Sequence, residues 1–168
     1  MESKVKILGH PVHPMLIVFP LGLLSAAVLF DLLYLFTENG ELAVAAFWAI
    51  AAGIVGGLLA AVFGFWDWLG IPRGTRAKRI GLWHGLGNLV IVAFFVISWI
   101  LRLGDVTYLP SIAPLLIGVA AAAMALVTAW LGGELVYRLR VAVDDDAHLD
   151  AASSLARSGA VREEPPLP

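Results

Sequence analysis

Cysteine is absent from all 168 residues. Disulfides, thiol nucleophiles, iron–sulfur clusters, thiolate-ligated zinc and covalently attached c-type haem are thereby excluded. Any metal would have to be held by imidazole, carboxylate or backbone oxygen. Charge is scarce as well: 14% of residues are charged, against about a quarter in a soluble domain, and the mean hydropathy is +0.88. Such a chain cannot dress an ordinary water-facing surface, so secreted disulfide scaffolds, soluble nucleic-acid binders and disordered proteins drop out. No phosphate-cradling glycine loop, nucleophile elbow or metalloprotease helix motif is present. The basic residues sit beside apolar runs, which leaves no need for a nucleic-acid partner.

What the chain has instead is apolar length. Hydrophobic residues make up 60% of it and fall into four blocks, residues 15–36, 42–66, 80–103 and 112–136. Crossing a hydrocarbon core takes roughly 20 apolar residues per helix, and every block meets that. Short connections force neighbouring helices antiparallel. The expected fold is therefore all-α, an integral-membrane four-helix bundle running up-down-up-down over residues 1–143, with the lipid bilayer as its first partner. Lys4 and Lys6 precede span one, Arg73, Arg76, Lys78 and Arg79 lie between spans two and three, and Arg138 and Arg140 follow span four. Four spans put these segments on one side. The excess of lysine and arginine makes that side cytoplasmic, with both termini there and the chain multi-pass in a bacterial inner membrane. The first block is longer than the apolar stretch of a signal peptide and is read as a retained span. Residues 144–168 hold six acids and two bases and are expected to form a disordered acidic cytoplasmic tail, with His148 a solvated member of it.

Ionisable groups inside spans are expensive and need a partner or a purpose. The chain has His10 and His13 in Gly9-His10-Pro11-Val12-His13-Pro14, then Asp31, Asp67, His84, Asn88, Arg102 and Glu134. On the expected topology His10, His13, Asp67, His84 and Glu134 gather at the basic end, and Asp31 and Arg102 at the other. His13 to Asp31 and His84 to Arg102 are each five turns of helix, about 27 Å. An Asp31–Arg102 pair across the bundle would thus level His13 with His84, provided that Pro20 does not kink span one too far. In span three Gly81, His84, Asn88, Ser98 and Arg102 form one polar stripe, expected to face inward; for Asn88 and Ser98 interhelical hydrogen bonding suffices as the reason.

Proline suits the first turn of a helix and extends the residue before it, so Pro14 is expected to open span one with His13 as its cap. A polyproline approach would put His10 and His13 on one side, roughly 9 Å apart. Asp67 and Glu134 end spans two and four; each could ligate a metal, orient an imidazole, or pair with the nearby arginines. Histidine at the start and acid at the end of each helix pair suggest a pseudo-twofold repeat of two-helix units. Gly53 with Gly57, Gly81 with Gly85, and Gly132-Gly133 offer close helix contacts. Six tryptophans near span ends fit an interfacial belt.

His10-Pro11-Val12-His13-Pro14 leading into Phe19-Pro20, Asp31, Asp67-Trp68, His84 and Gly132-Gly133-Glu134-Leu135-Val136-Tyr137 together resemble a bacterial membrane family, domain of unknown function 2231, over residues 8–140. The resemblance implies four spans and no established activity. Some relatives look fused to a Rieske iron–sulfur domain, which implies redox company.

Three functions are weighed. In the first, haem b lies between spans one and three with His13 and His84 as axial ligands. His10 or Asn88 would tune the pocket, Arg73, Arg76 or Arg79 would meet the propionates, and electrons would pass to a quinone or a soluble redox partner. In the second, His10, His13, His84, Asp67 and Glu134 bind a divalent metal ion such as zinc, iron or manganese. The third is a cofactor-free transporter or accessory subunit. Four spans without a pair of broken helices argue against a complete monomeric transporter, though a homo-oligomer could form a pathway.

Overall fold

A computed structural model describes residues 1–104 and 106–156. The N-terminal stretch turns through a small antiparallel hairpin, β1 (Lys6–Ile7) and β2 (His10–Pro11), and enters α1 (Val12–Leu16) and α2 (Val18–Thr37). Then come α3 (Gly40–Gly70), α4 (Arg76–Ile100) and α5 (Ile112–Gly133), which runs on into a π-helical turn, Glu134–Arg138. Four stretches, Val12–Thr37, Gly40–Gly70, Arg76–Ile100 and Ile112–Arg138, are long and apolar enough to cross a membrane.

Local chemistry sets the boundaries. Asn39 caps α3 by accepting from the Glu41 amide at 3.0 Å, and Thr75 caps α4 by accepting from the Lys78 amide at 3.1 Å, each relieving one of the unpaired donors of a first turn. The start of span one departs from the expectation. Pro11, not His13, is the N-cap, with φ −61° and ψ 130°, and His13 lies inside the first turn of α1. Pro14 is tolerated there because amides of a first turn have no intrahelical acceptor to lose. His10 is turned away in the hairpin, where Gly9 adopts a left-handed φ of 82°, so no polyproline register links it to His13. Pro20 cannot donate to the Leu16 carbonyl, and the helix breaks at Ile17 between α1 and α2.

The order of contacts shows consecutive helices running antiparallel. Along α3, Gly53 packs on Leu24, Gly56 on Phe19 and Gly64 on His13; along α4 and α5, Gly87 packs on Thr128 and Gly132 on His84. A β-carbon on Gly53 would lie 2.6 Å from Leu24, and one on Gly87 2.6 Å from Thr128, so both positions let helix backbones approach closely. Of the other glycines singled out, Gly57 meets Val92 and Gly81 meets Trp68, whereas Gly85 faces open space. The interior is narrow: Ala27, Ala46 and Ala121 are fully buried beside Leu24, Ile50, Ile91 and Phe95. Large side chains such as Leu58, Val62, Leu89 and Leu126 point outward, as lipid-facing surfaces do. Trp48, Trp66, Trp83 and Trp130 are exposed, but Trp99 stacks on Phe47 and Trp68 donates its indole N–H to the Lys78 carbonyl.

Away from the basic end, Arg102 and Asp31 meet in a buried, two-pronged ion pair. Nη1 reaches Oδ1 at 2.8 Å and Nη2 reaches Oδ2 at 2.6 Å, with the Arg102 side chain wholly enclosed. Ser98 extends the network, accepting from Arg102 at 3.4 Å and donating to the Pro114 carbonyl at 2.9 Å, so spans one, three and four are joined through polar groups. Removing one partner of such a pair strands a buried charge: Asp31→Asn should cost about 3–5 kcal/mol of stability in a reversible unfolding assay. The exchanged pair Asp31→Arg with Arg102→Asp should recover part of the loss; a single variant as stable as wild type would show that the pair does not hold the bundle.

Candidate functional site

The two span-borne histidines are held in the same way. His13, in the first turn of span one, places Nδ1 2.8 Å from the carbonyl oxygen of Ala60 in span two. His84, in the second or third turn of α4, places Nδ1 2.9 Å from the carbonyl oxygen of Thr128 in span four. A carbonyl only accepts, so each Nδ1 must carry the proton that it donates, and in the neutral ring Nε2 keeps its lone pair. Each ring also rests on a glycine four residues past the accepting carbonyl. A β-carbon on Gly64 would stand 2.8 Å from the His13 ring, and one on Gly132 3.2 Å from the His84 ring.

Their surroundings differ in one respect. Asn88 donates to the His84 carbonyl one turn back at 2.8 Å, and its amide nitrogen lies 3.4 Å from His84 Nε2. Thr128 donates from its hydroxyl towards Asn88 Oδ1 at 3.3 Å and the Ala125 carbonyl at 3.1 Å. Thr128 thus offers its backbone to His84 and its side chain to Asn88. The sequence reading missed Thr128. Its signal was available as a lone polar residue in the lower part of an apolar span, one turn before Gly132.

The remaining candidates are held elsewhere. Asp67, buried at the end of α3, accepts from Ser3 Oγ at 2.7 and 2.9 Å and from the Lys4 amide at 2.7 Å, which ties the N-terminal stretch to the bundle. Glu134 accepts from Arg76 at 2.6 Å, the arginine pairing considered from the sequence. His10 is exposed, with Nε2 3.3 Å from Ser154 Oγ. Among the described residues, no three of His, Cys, Asp and Glu gather as a metal-binding group. The set His10, His13, His84, Asp67 and Glu134 is therefore dispersed: a hairpin turns His10 outward, and Ser3 and Arg76 occupy the two acids. What the fold does bring together is His84 with Asn88 and Thr128, and it seats His13 in the same manner on Ala60 and Gly64.

The chain beyond the last span lies against the N-terminal hairpin. Lys6 pairs with both Glu2 and Asp144, and the Ala142 amide donates to the Met1 carbonyl at 2.9 Å. His148 is exposed, its Nδ1 accepting from the Asp150 amide at 3.2 Å. The part of the expected tail from 157 to 168 lies outside the described residues.

Two predictions come from this geometry. Gly64→Ala should displace the His13 ring and cost about 1–3 kcal/mol, as overpacking does, with Gly132→Ala milder; unchanged unfolding and unchanged imidazole nitrogen NMR shifts would refute the seating. The second concerns pH. Asp144, then Glu2, hold the Lys6 amine above its ordinary 10.5, and Lys6 holds the Glu2 carboxyl below its ordinary 4.5. Glu2's contribution is complete above 4.5 and fades as pH falls through its lowered value. That of Lys6 is complete below 10.5 and fades as pH rises through its raised value. Hydrogen-exchange protection at residues 6–10, taken relative to the intrinsic rate at each pH, should be greatest across the neutral range and fall in strong acid and strong base; protection that does not change with pH would remove this latch.

Compared with known proteins, the chain matches the family model described as "Predicted membrane protein (DUF2231)" over residues 9–145. No curated protein and no solved structure matches it.

Proposed function

The chain belongs to the DUF2231 family of predicted membrane proteins, and from that premise we propose that it is an electron-transfer protein holding haem b between its first and third spans. His13 and His84 would hold the haem iron in this reading. The observation that carries it is the paired anchoring of Nδ1 on the carbonyls of Ala60 and Thr128, which turns the acceptor lone pair of each ring to Nε2, where the Asn88 amide nitrogen stands 3.4 Å from that of His84. Second-shell bonds of this kind fix the tautomer and orientation of ligating histidines. The donor set fits the group: two neutral imidazoles are the kind of ligand that would hold a haem iron without a third protein donor. When bound, haem supplies a one-electron couple that no side chain of this cysteine-free chain provides.

The chain's own residues do the holding. Gly64 and Gly132 admit the rings, the Asn88–Thr128 pair restrains His84, and the exposed Arg79 offers a cation to a propionate. The basic segments at one end of the bundle favour both termini on the cytoplasmic side of a bacterial inner membrane. A membrane quinone is the exchange partner in keeping with that location. The parallel seating of His13 and His84, each on the next span above a glycine one turn on, supports reading the bundle as a pseudo-twofold repeat of two-helix units.

Expression with haem in excess should give a purified protein with a Soret band and a pyridine haemochrome. His13→Ala and His84→Ala should each abolish or shift the low-spin spectrum, while His148→Ala leaves it unchanged. A wild-type protein without a Soret band, or variants that retain the wild-type spectrum, would overturn the assignment and favour the cofactor-free subunit.

A further inference from the structure

The basic end of the bundle carries an open apolar groove of about 300 Å³, walled on one side by Ile71, Pro72 and Ala77 and on the other by Leu139 and Val141, with Arg76 at its rim. Ile71 and Val141 belong to a small apolar cluster with Leu135 that is separate from the bundle core. The groove lies between the end of span two at Gly70 and the start of α4 at Arg76, which is headgroup depth for helices that cross the bilayer.

Its charge identifies the occupant. Arg73 sits within the loop that forms one wall, Arg140 sits between Leu139 and Val141 in the other, and Arg79 and Arg138 are close in sequence to each. All four are exposed. Of the acids nearby, Glu134 pairs with Arg76, Asp144 with Lys6 and Asp145 with the Met1 amine, and the Arg140 guanidinium reaches the Asp144 carbonyl oxygen at 3.5 Å. The α4 N-terminus adds a partial positive charge at the same place. A partner must therefore be anionic at one end and apolar at the other, and must be abundant at the membrane surface. We propose that this groove binds an anionic glycerophospholipid, with the phosphate between Arg73 and Arg140 and an acyl segment against Ile71, Ala77 and Leu139. Basic recesses at span ends recognise anionic headgroups by this combination.

The test uses the full chain in detergent, with dioleoyl-phosphatidylglycerol or dioleoyl-phosphatidylcholine as the probe and native mass spectrometry as the readout. Wild type should retain a single phosphatidylglycerol and no phosphatidylcholine. Arg73→Gln with Arg140→Gln should weaken retention about 30-fold, from the loss of two juxtamembrane charges. Ala77→Trp fills the groove while leaving every charge in place, and it should weaken retention to a similar degree. Equal retention of the two lipids, or arginine variants that bind like wild type, would overturn the proposal. So would a folded Ala77→Trp protein with wild-type retention, which would reduce the effect to a diffuse basic belt. The arginine variants change exposed side chains only and keep the test decisive if Ala77→Trp fails to fold.

Discussion

Hydrocarbon offers no partner to a polar group, so a polar side chain within a span must be satisfied by another part of the protein. That requirement decides which helix faces which in this chain. Arg102 is met by Asp31 and Ser98, Ser98 by Pro114, His13 by Ala60, and His84 by Thr128. Each of these bonds joins different spans except that between Arg102 and Ser98. The apolar majority cannot perform this selection, since leucine against leucine is little different from leucine against lipid. Small residues then allow the backbones close enough for the bonds to form.

The same constraint explains why two histidines are set apart from the other polar groups. Asp67 and Glu134 lie where the hairpin, the interspan loop and water offer partners, and they take Ser3 and Arg76. At Nδ1 His13 meets the Ala60 carbonyl, and His84 meets the Thr128 carbonyl with the Asn88 amide nitrogen 3.5 Å away. A carbonyl satisfies one ring nitrogen and leaves the other with its acceptor lone pair. At Nε2 His84 has the longer approach of the Asn88 amide nitrogen, 3.4 Å, and the proposed function centres on these two residues. Thr128 and Asn88 make the His84 side the more tightly held of the two.

How much of this was legible beforehand varies by residue. The four spans, the basic end and the Asp31–Arg102 pair could be read from apolar length, lysine and arginine placement and an eighteen-residue spacing repeated in spans one and three. His10 could not be placed correctly, because proline signals an extended approach but does not reveal that Gly9 reverses the chain into a hairpin. Nor could the fates of Asp67 and Glu134. An acid at the end of a span reads the same whether it faces a histidine, a serine or an arginine, and only the positions of Ser3 and Arg76 distinguish these.

By itself the sequence determined that this is a four-span membrane protein and which charges must be buried, because periodicity and the cost of charge in lipid are properties of the chain alone. Tertiary structure decided which carbonyl each imidazole meets, which acids are already occupied, and that a groove opens between the interspan loop and the segment after span four. Those features depend on distances of a few ångströms between residues far apart in sequence. No spacing along one helix encodes them.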